Sequence, residues 1–222
     1  MRKNYLNDLK ELTQEMTEMS ELVKTSIKNT VEALQKDDLL MAQEVINSDS
    51  KIDERERSIE NLCLKLLLTQ QPVASDMRMV SSALKMITDL ERIGDFATDI
   101  SEIVIKGGRT HTQYSIPFIE DMCTAVISMV DGAVRSFAER DISLAKQVCR
   151  ADDKVDELFL GAKDLLVERI REKESFAERA LDLMMVSKYL ERIGDHATNL
   201  AEWVIFYLTG VHINTEGGFL GE

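Results

Sequence analysis

The stretch DLERIGDFATDISE at residues 89–102 returns, little altered, as YLERIGDHATNLAE at residues 189–202. The equivalent Glu91 and Glu191 stand 100 residues apart in a chain of 222, so internal duplication is the first reading to test. LQKDDLLMA from Leu34 matches FAERDISLA from Phe137, and SDSKIDE from Ser48 matches ADDKVDE from Ala151, both at an offset of 103. The offset falls to 100 beyond that point because REKES is a shorter loop than the one containing QQPVASD. Drift confined to a loop is what duplication followed by divergence produces.

Composition narrows the fold. Apolar residues make up 44% of the chain, aromatics only 5%, and Pro occurs twice, the usage of a helical protein. The net charge of −13 and pI near 4.8 exclude a surface built for nucleic acid, which needs clustered Lys and Arg. They favour metal cations or basic protein surfaces as partners. MRKNYLNDLK has no apolar leader region, and no run approaches the roughly 18 apolar residues of a membrane span, so a cytoplasmic protein is expected. Cys63, Cys123 and Cys149 lack CxxC spacing and read as reduced core residues.

Apolar positions at Leu9, Leu12, Met16, Met19, Val23, Ile27, Val31 and Leu34 recur in steps of three and four, which predicts a helix near 5–36. A second helix is expected near 39–68. A third should run from an Asp76 N-cap to about Lys106, where Gly107-Gly108 stops it. The second half predicts helices near 117–139, 141–172 and 176–208. The expected fold is all-α: two tandem antiparallel three-helix bundles, residues 1–108 and 113–208, with a flexible tail at 209–222.

On a helical wheel with Glu91 at zero, Asp95, Asp99 and Glu102 fall at about 40°, 80° and 20°. The apolar Met86, Leu90, Ile93, Ala97, Ile100 and Val104 cluster opposite them, so the acidic stripe is expected to face away from the core. Glu191, Asp195, Asn199 and Glu202 repeat the arrangement. Like charges at i, i+4 repel by a few tenths of a kcal/mol each. Arg92 and Arg192 border the stripe and read as local neutralisers, with an anion contact as the alternative. The mid-helix Gly94 and Gly194 cost about 1 kcal/mol each relative to Ala, which predicts a close approach by a neighbouring helix.

The preceding helix of each half carries its own acidic pair, Asp49 with Asp53 and Asp152 with Asp156. Antiparallel neighbours meet at equal distances from the turn between them. The midpoints of the two acidic sets fall inside the proline loop and inside REKES, so each half brings its sets to one height. Carboxylates converging at one level suit hard cations such as Mg, Ca, Mn or iron, whereas Zn usually recruits Cys or His. An acidic face on an acidic helical protein is ordinarily just solvated; matched heights in both halves single these residues out. Glu56 and Glu60 extend the second-helix stripe, but Phe159 and Lys163 stand there in the other half, and they are left outside the predicted site. His196, off the stripe, is a weak candidate ligand.

ERIGDFATDISE and ERIGDHATNLAE, doubled about 100 residues apart, resemble the PhoU family of phosphate-transport accessory proteins over residues 1–208. The resemblance implies a cytoplasmic negative regulator of phosphate homeostasis. Its partners would be the ATPase subunit of the phosphate ABC transporter and the sensor histidine kinase of the phosphate regulon. Contact with the membrane would run through those partners, and a homodimer is the expected assembly. It also implies multinuclear metal binding on E/DxxxD motifs, here Asp49 and Asp53, Glu91, Asp95 and Asp99, Asp152 and Asp156, and Glu191, Asp195 and Asn199. Family members commonly carry Asn where this chain has Asp99, and the contrast of DFATD with DHATN predicts two unequal metal sites.

Other classes fare worse. The sequence offers no nucleophile–base arrangement and no phosphate-cradling glycine loop, and no Glu-x-x-His of the ferritin-like di-iron type. Histidine phosphotransfer would rest on His196 alone, with Phe96 in its place in the other half. A metal-binding or metal-storage bundle without a phosphate-signalling role is the alternative reading.

Overall fold

A computed structural model describes residues 2–69, 73–107 and 117–212. Six long helices fill it: α1 (Arg2–Lys36), α2 (Leu39–Thr69), α3 (Ala74–Gly107), α4 (Pro117–Glu139), α5 (Ile142–Glu172) and α6 (Ala177–Thr209), with one 3₁₀ turn at Glu174–Phe176 before α6. The described residues contain no helix long and apolar enough to cross a membrane. Residues 108–116, which join the halves, and residues 213–222 of the expected tail lie outside the described residues.

The turns between first and second helices repeat as the sequence does. Asp37 and its equivalent Arg140 both take positive φ, 52° and 58°, the left-handed step that reverses the chain. The next residue caps the new helix in each half. Asp38 Oδ1 accepts from the amides of Leu40 at 3.1 Å and Met41 at 3.0 Å, and Asp141 Oδ1 from Ser143 at 2.8 Å and Leu144 at 3.1 Å. Each cap satisfies amides that the first turn of a helix leaves open, worth about 1 kcal/mol. Asp76, expected to cap α3, instead lies inside its first turn. The helix begins two residues earlier at Ala74, where Asp76 still favours the positive end of the helix dipole. Gly210 ends α6 with φ 76° and an amide bonded to the Phe206 carbonyl, a left-handed cap that suits glycine.

Within each half, consecutive helices pack against one another as two three-helix bundles require. The bundles do not stand apart, because α1 packs on α4 and α3 packs on α6. The buried side chains, from Leu12, Met16 and Met19 in α1 to Leu200 and Val204 in α6, form one continuous core. Burying each large side chain contributes about 1.5–3 kcal/mol. The peripheral helices are α2, which touches only α1 and α3, and α5, which touches α4, α6 and the 3₁₀ turn.

Helices α3 and α6 run antiparallel across the middle of the molecule. Arg78 Nε donates to the Tyr207 carbonyl at 3.1 Å, Asp89 meets His196, Phe96 stacks on Tyr189, and Gly107 lies beside Arg179. The two ERIGD motifs therefore cross at a pseudo-twofold axis, each helix lying between its own second helix and the other half's third.

Candidate functional site

Gly94 and Gly194 seat the second helix on the third, as their mid-helix positions predict. A Cβ at Gly94 would lie 2.9 Å from Ile52 Cδ1 and 3.7 Å from Asp49 Oδ1. At Gly194 it would lie 3.3 Å from Val155 Cγ1 and 3.4 Å from Asp152 Oδ1. The first carboxylate of each DxxxD pair is thus drawn against the ERIGD helix.

Electrostatics report the expected convergence. In the first half, burial raises the Asp49 pKa, the charges of Asp53 and Asp95 raise it further, and the Thr98 hydroxyl offsets part of the rise. Glu91 is raised by burial and by Asp95, held back by Arg92, and raised again by Glu56 and Asp53. In the second half, burial together with Asp195 and Asp156 pushes Asp152 up to about 6. Thr198, whose buried hydroxyl has no well-formed hydrogen bond, pulls slightly the other way. Asp195 is raised by burial and Glu191, Lys188 opposes, and Asp156 adds to the rise. The matched heights hold in both halves. No three His, Cys, Asp or Glu side chains among the described residues close on a single ion position; the carboxylates face one another across the helix pair.

The stripe does not lie free on the outside. Only 23% of the Glu91 side chain and 35% of that of Asp95 is exposed, because α2 covers one flank of α3 and α6 the other. Arg92 neutralises its copy as expected, 3.1 Å from Asp95 and 3.7 Å from Glu91. Arg192 does not; its guanidinium lies over the Phe96 ring, 5.8 Å from the centroid, a cation–π contact across the halves.

Asp99 and Asn199 turn toward the other repeat. Asp99, raised by burial, Glu102 and Asp95, is held back by Lys106 and by a hydrogen bond with Tyr189. Asn199 Nδ2 donates to Asp89 Oδ1 at 3.3 Å, and His196 Nδ1 lies 2.8 Å from the same oxygen. Phe96 takes the equivalent role opposite Tyr189, ring centroids 5.7 Å apart. The difference between DFATD and DHATN therefore marks a seam with one polar and one aromatic end.

The two acidic sites are unequal for another reason, carried by residues outside the predicted set. Glu56, half-buried, is raised by burial, Glu60 and Asp53, with a hydrogen bond to Thr88 opposing, so the first site has an added carboxylate. In the second half Phe159 replaces Glu56 and Lys188 replaces Thr88; Lys188 lies over the Phe159 ring and forms an ion pair with Glu191. The signal was present in sequence, since Glu56 extends the stripe by one turn and Lys188 stands three residues before Glu191. The cysteines are free, Cys63 and Cys123 in the core as expected and Cys149 only partly buried against it; burial pushes the Cys63 thiol up to about 12 and those of Cys123 and Cys149 to about 11, which disfavours the reactive thiolate.

Two fused three-helix bundles with level carboxylate pairs define a duplicated helical protein with paired acidic sites. The description PhoU domain matches residues 16–104 and again residues 119–204, and the chain belongs to the PhoU family. It is similar to a phosphate-specific transport system accessory protein PhoU homolog of Clostridium acetobutylicum, 36% identical over 96% of this chain and 98% of that one. Among solved structures it resembles PhoU from Pseudomonas aeruginosa, at TM-score 0.85 and 33% identity over 93% of this chain and 100% of the other. It also resembles the phosphate transport system regulatory protein PhoU from Streptococcus pneumoniae, at TM-score 0.87 and 25% identity over 95% and 99%.

Proposed function

We propose that this protein is a non-enzymatic regulator of phosphate uptake, an adaptor that couples the ATPase subunit of the phosphate ABC transporter to the sensor histidine kinase of the phosphate regulon. It acts as a cytoplasmic homodimer and as a negative regulator, reaching the membrane through those partners. The observation that carries the reading is near full-length similarity to the accessory protein of Clostridium acetobutylicum. Deleting the gene in its native host is expected to derepress phosphate-starvation genes in phosphate-rich medium; unchanged expression would overturn the regulatory role. Pull-down from membranes should recover the transporter ATPase.

The acidic sites bind hard cations as part of that role. The donor chemistry fits: hard carboxylate oxygens, of which those of Asp49, Glu91, Asp152 and Asp195 are held at raised affinity for protons by burial and by their acidic neighbours, and no basic partner at Asp152 among the described residues. Asp49, Asp53, Glu91 and Asp95 would hold one ion or cluster, and Asp152, Asp156, Glu191 and Asp195 another. Bound cations would neutralise the repulsion and clamp the second helix to the third. Asp99 and Asn199, turned to the seam, are edge ligands at most. Protein purified without chelator should lose most of its metal on Asp95→Asn plus Asp195→Asn; equal metal content in variant and wild type would remove the sites.

A further inference from the structure

The polar end of the seam opens into a cavity of about 370 Å³, lined by Asp89, Asn199, Glu202, Trp203, Lys85 and His212 among others. Its volume is that of a small-ligand site. Two features make it receptive. His196 and Asn199 both engage Oδ1 of Asp89, and no hydrogen bond among the described residues uses Oδ2. Glu202 has no ion pair among the described residues, while burial and the charges of Asp152 and Asp89 raise its pKa, so a carboxylate stands there under uncompensated negative field. Trp203 supplies an aromatic wall, with the His212 ring perpendicular to it at 5.4 Å. Lys85 is exposed to solvent, where its charge is screened.

The other end of the seam lacks both features. Tyr189 occupies the position of Asp89, and its hydroxyl bonds to Asp99, the equivalent of Asn199. Glu102, the equivalent of Glu202, is neutralised by Lys106 at 2.7 Å. Ile103 stands where Trp203 stands. Duplication has thus filled and neutralised one copy of the site and left the other open and acidic.

We propose that this cavity binds an organic cation headgroup, a guanidinium or alkylammonium, between the carboxylates of Asp89 and Glu202 and the indole of Trp203. Carboxylates fix such a group through charge-assisted hydrogen bonds and an aromatic face attracts it through its quadrupole. A free headgroup and one carried on a protein side chain present the same chemistry. The inference does not rest on the proposed function.

Trp203 is the only tryptophan in the chain, so its fluorescence reports the site directly. The full chain, kept in chelator to exclude metal, is titrated with arginine amide and, separately, with a glycine-flanked single-arginine peptide at constant ionic strength. A saturable change is expected with at least one of them. It should be about tenfold weaker in Glu202→Gln, lost in Asp89→Tyr, which installs the other repeat's residue, and intact in Glu168→Gln on the exposed face of α5. Binding of the amide assigns a free cation, and binding of the peptide alone assigns a partner's side chain; either supports the site. No saturable change in wild type, an equal response to sodium chloride, or an undiminished response in a folded Glu202→Gln variant would overturn it.

Discussion

The two repeats share eight of the eleven residues of DLERIGDFATD and YLERIGDHATN, and their three differences are not scattered. Asp89 with Tyr189, Phe96 with His196 and Asp99 with Asn199 stand at spacings i, i+7 and i+10, within about 80° of helix arc. All three positions meet at the crossing of α3 and α6. An isologous interface repeats each contact twice; here one pair became acid with imidazole and the other phenol with phenyl. Residues that build each repeat internally, Glu91, Gly94 and Asp95 among them, stayed alike. Within these eleven positions, divergence is confined to where one repeat touches the other.

That contrast can be broken most severely at the glycines. Gly94→Leu and Gly194→Leu should each cost about 2–3 kcal/mol in chemical denaturation, because a branched side chain forces α2 off α3 or α5 off α6. Gly94→Ala is expected to be much milder, since only the tip of Ile52 must shift and alanine regains helix propensity of about 1 kcal/mol. Equal losses for alanine and leucine would show that the helices do not meet closely there.

Next in size is the acidity of the second site. The folded pKa of Asp152, about 6, lies above its unfolded value, so the folded state holds the proton more tightly. Its contribution therefore weakens stability as pH rises from about 4 through 6. In chelator, Asp152→Asn should raise stability at pH 7.5 by roughly 1 kcal/mol after allowing for solvent screening, and should flatten the pH dependence between 5 and 7.5. Asp49→Asn shifts in the same direction. Saturating metal should reverse the sign, making wild type the more stable protein; a variant less stable than wild type without metal would contradict the picture.

The smallest effect tests the seam. A double-mutant cycle on Asp89 and His196 should give a coupling of about 0.5–1 kcal/mol, and one on Phe96 and Tyr189 about 0.5–1.5 kcal/mol. Zero coupling in both would mean that α3 and α6 associate through Ile93, Ile193 and their apolar neighbours alone.

Much of this was readable from periodicity. Leu9 to Leu34 and Met86 to Val104 trace single faces, which places the helices, and the two midpoints correctly level Asp49 with Asp95 and Asp152 with Asp195. What a single wheel conceals is how many neighbours a helix has. Helix α3 contacts α1, α2 and α6, so residues flanking the apolar stripe, Asp89 and Phe96 on one side and Glu91 on the other, are also covered. A single wheel therefore does not show that Asp99 and Asn199 turn toward the other repeat, whereas pairing the two motifs head to tail sets Asp89 opposite His196. Glu56 falls outside the predicted site because its equivalent is Phe159, although divergence between repeats says nothing against a role in one of them.

The peripheral placement of α2 and α5 has a consequence for how the molecule opens. Each touches the rest only through its own bundle, so either can detach while the paired α3 and α6 stay folded, and amide exchange should be slowest in those central helices. Each acidic site is split between a helix of the last unit to open and a helix of the first. A cation bound across that boundary would slow exchange in α2 and α5 far from any ligand, turning ion occupancy into a change in the lifetime of the outer surface.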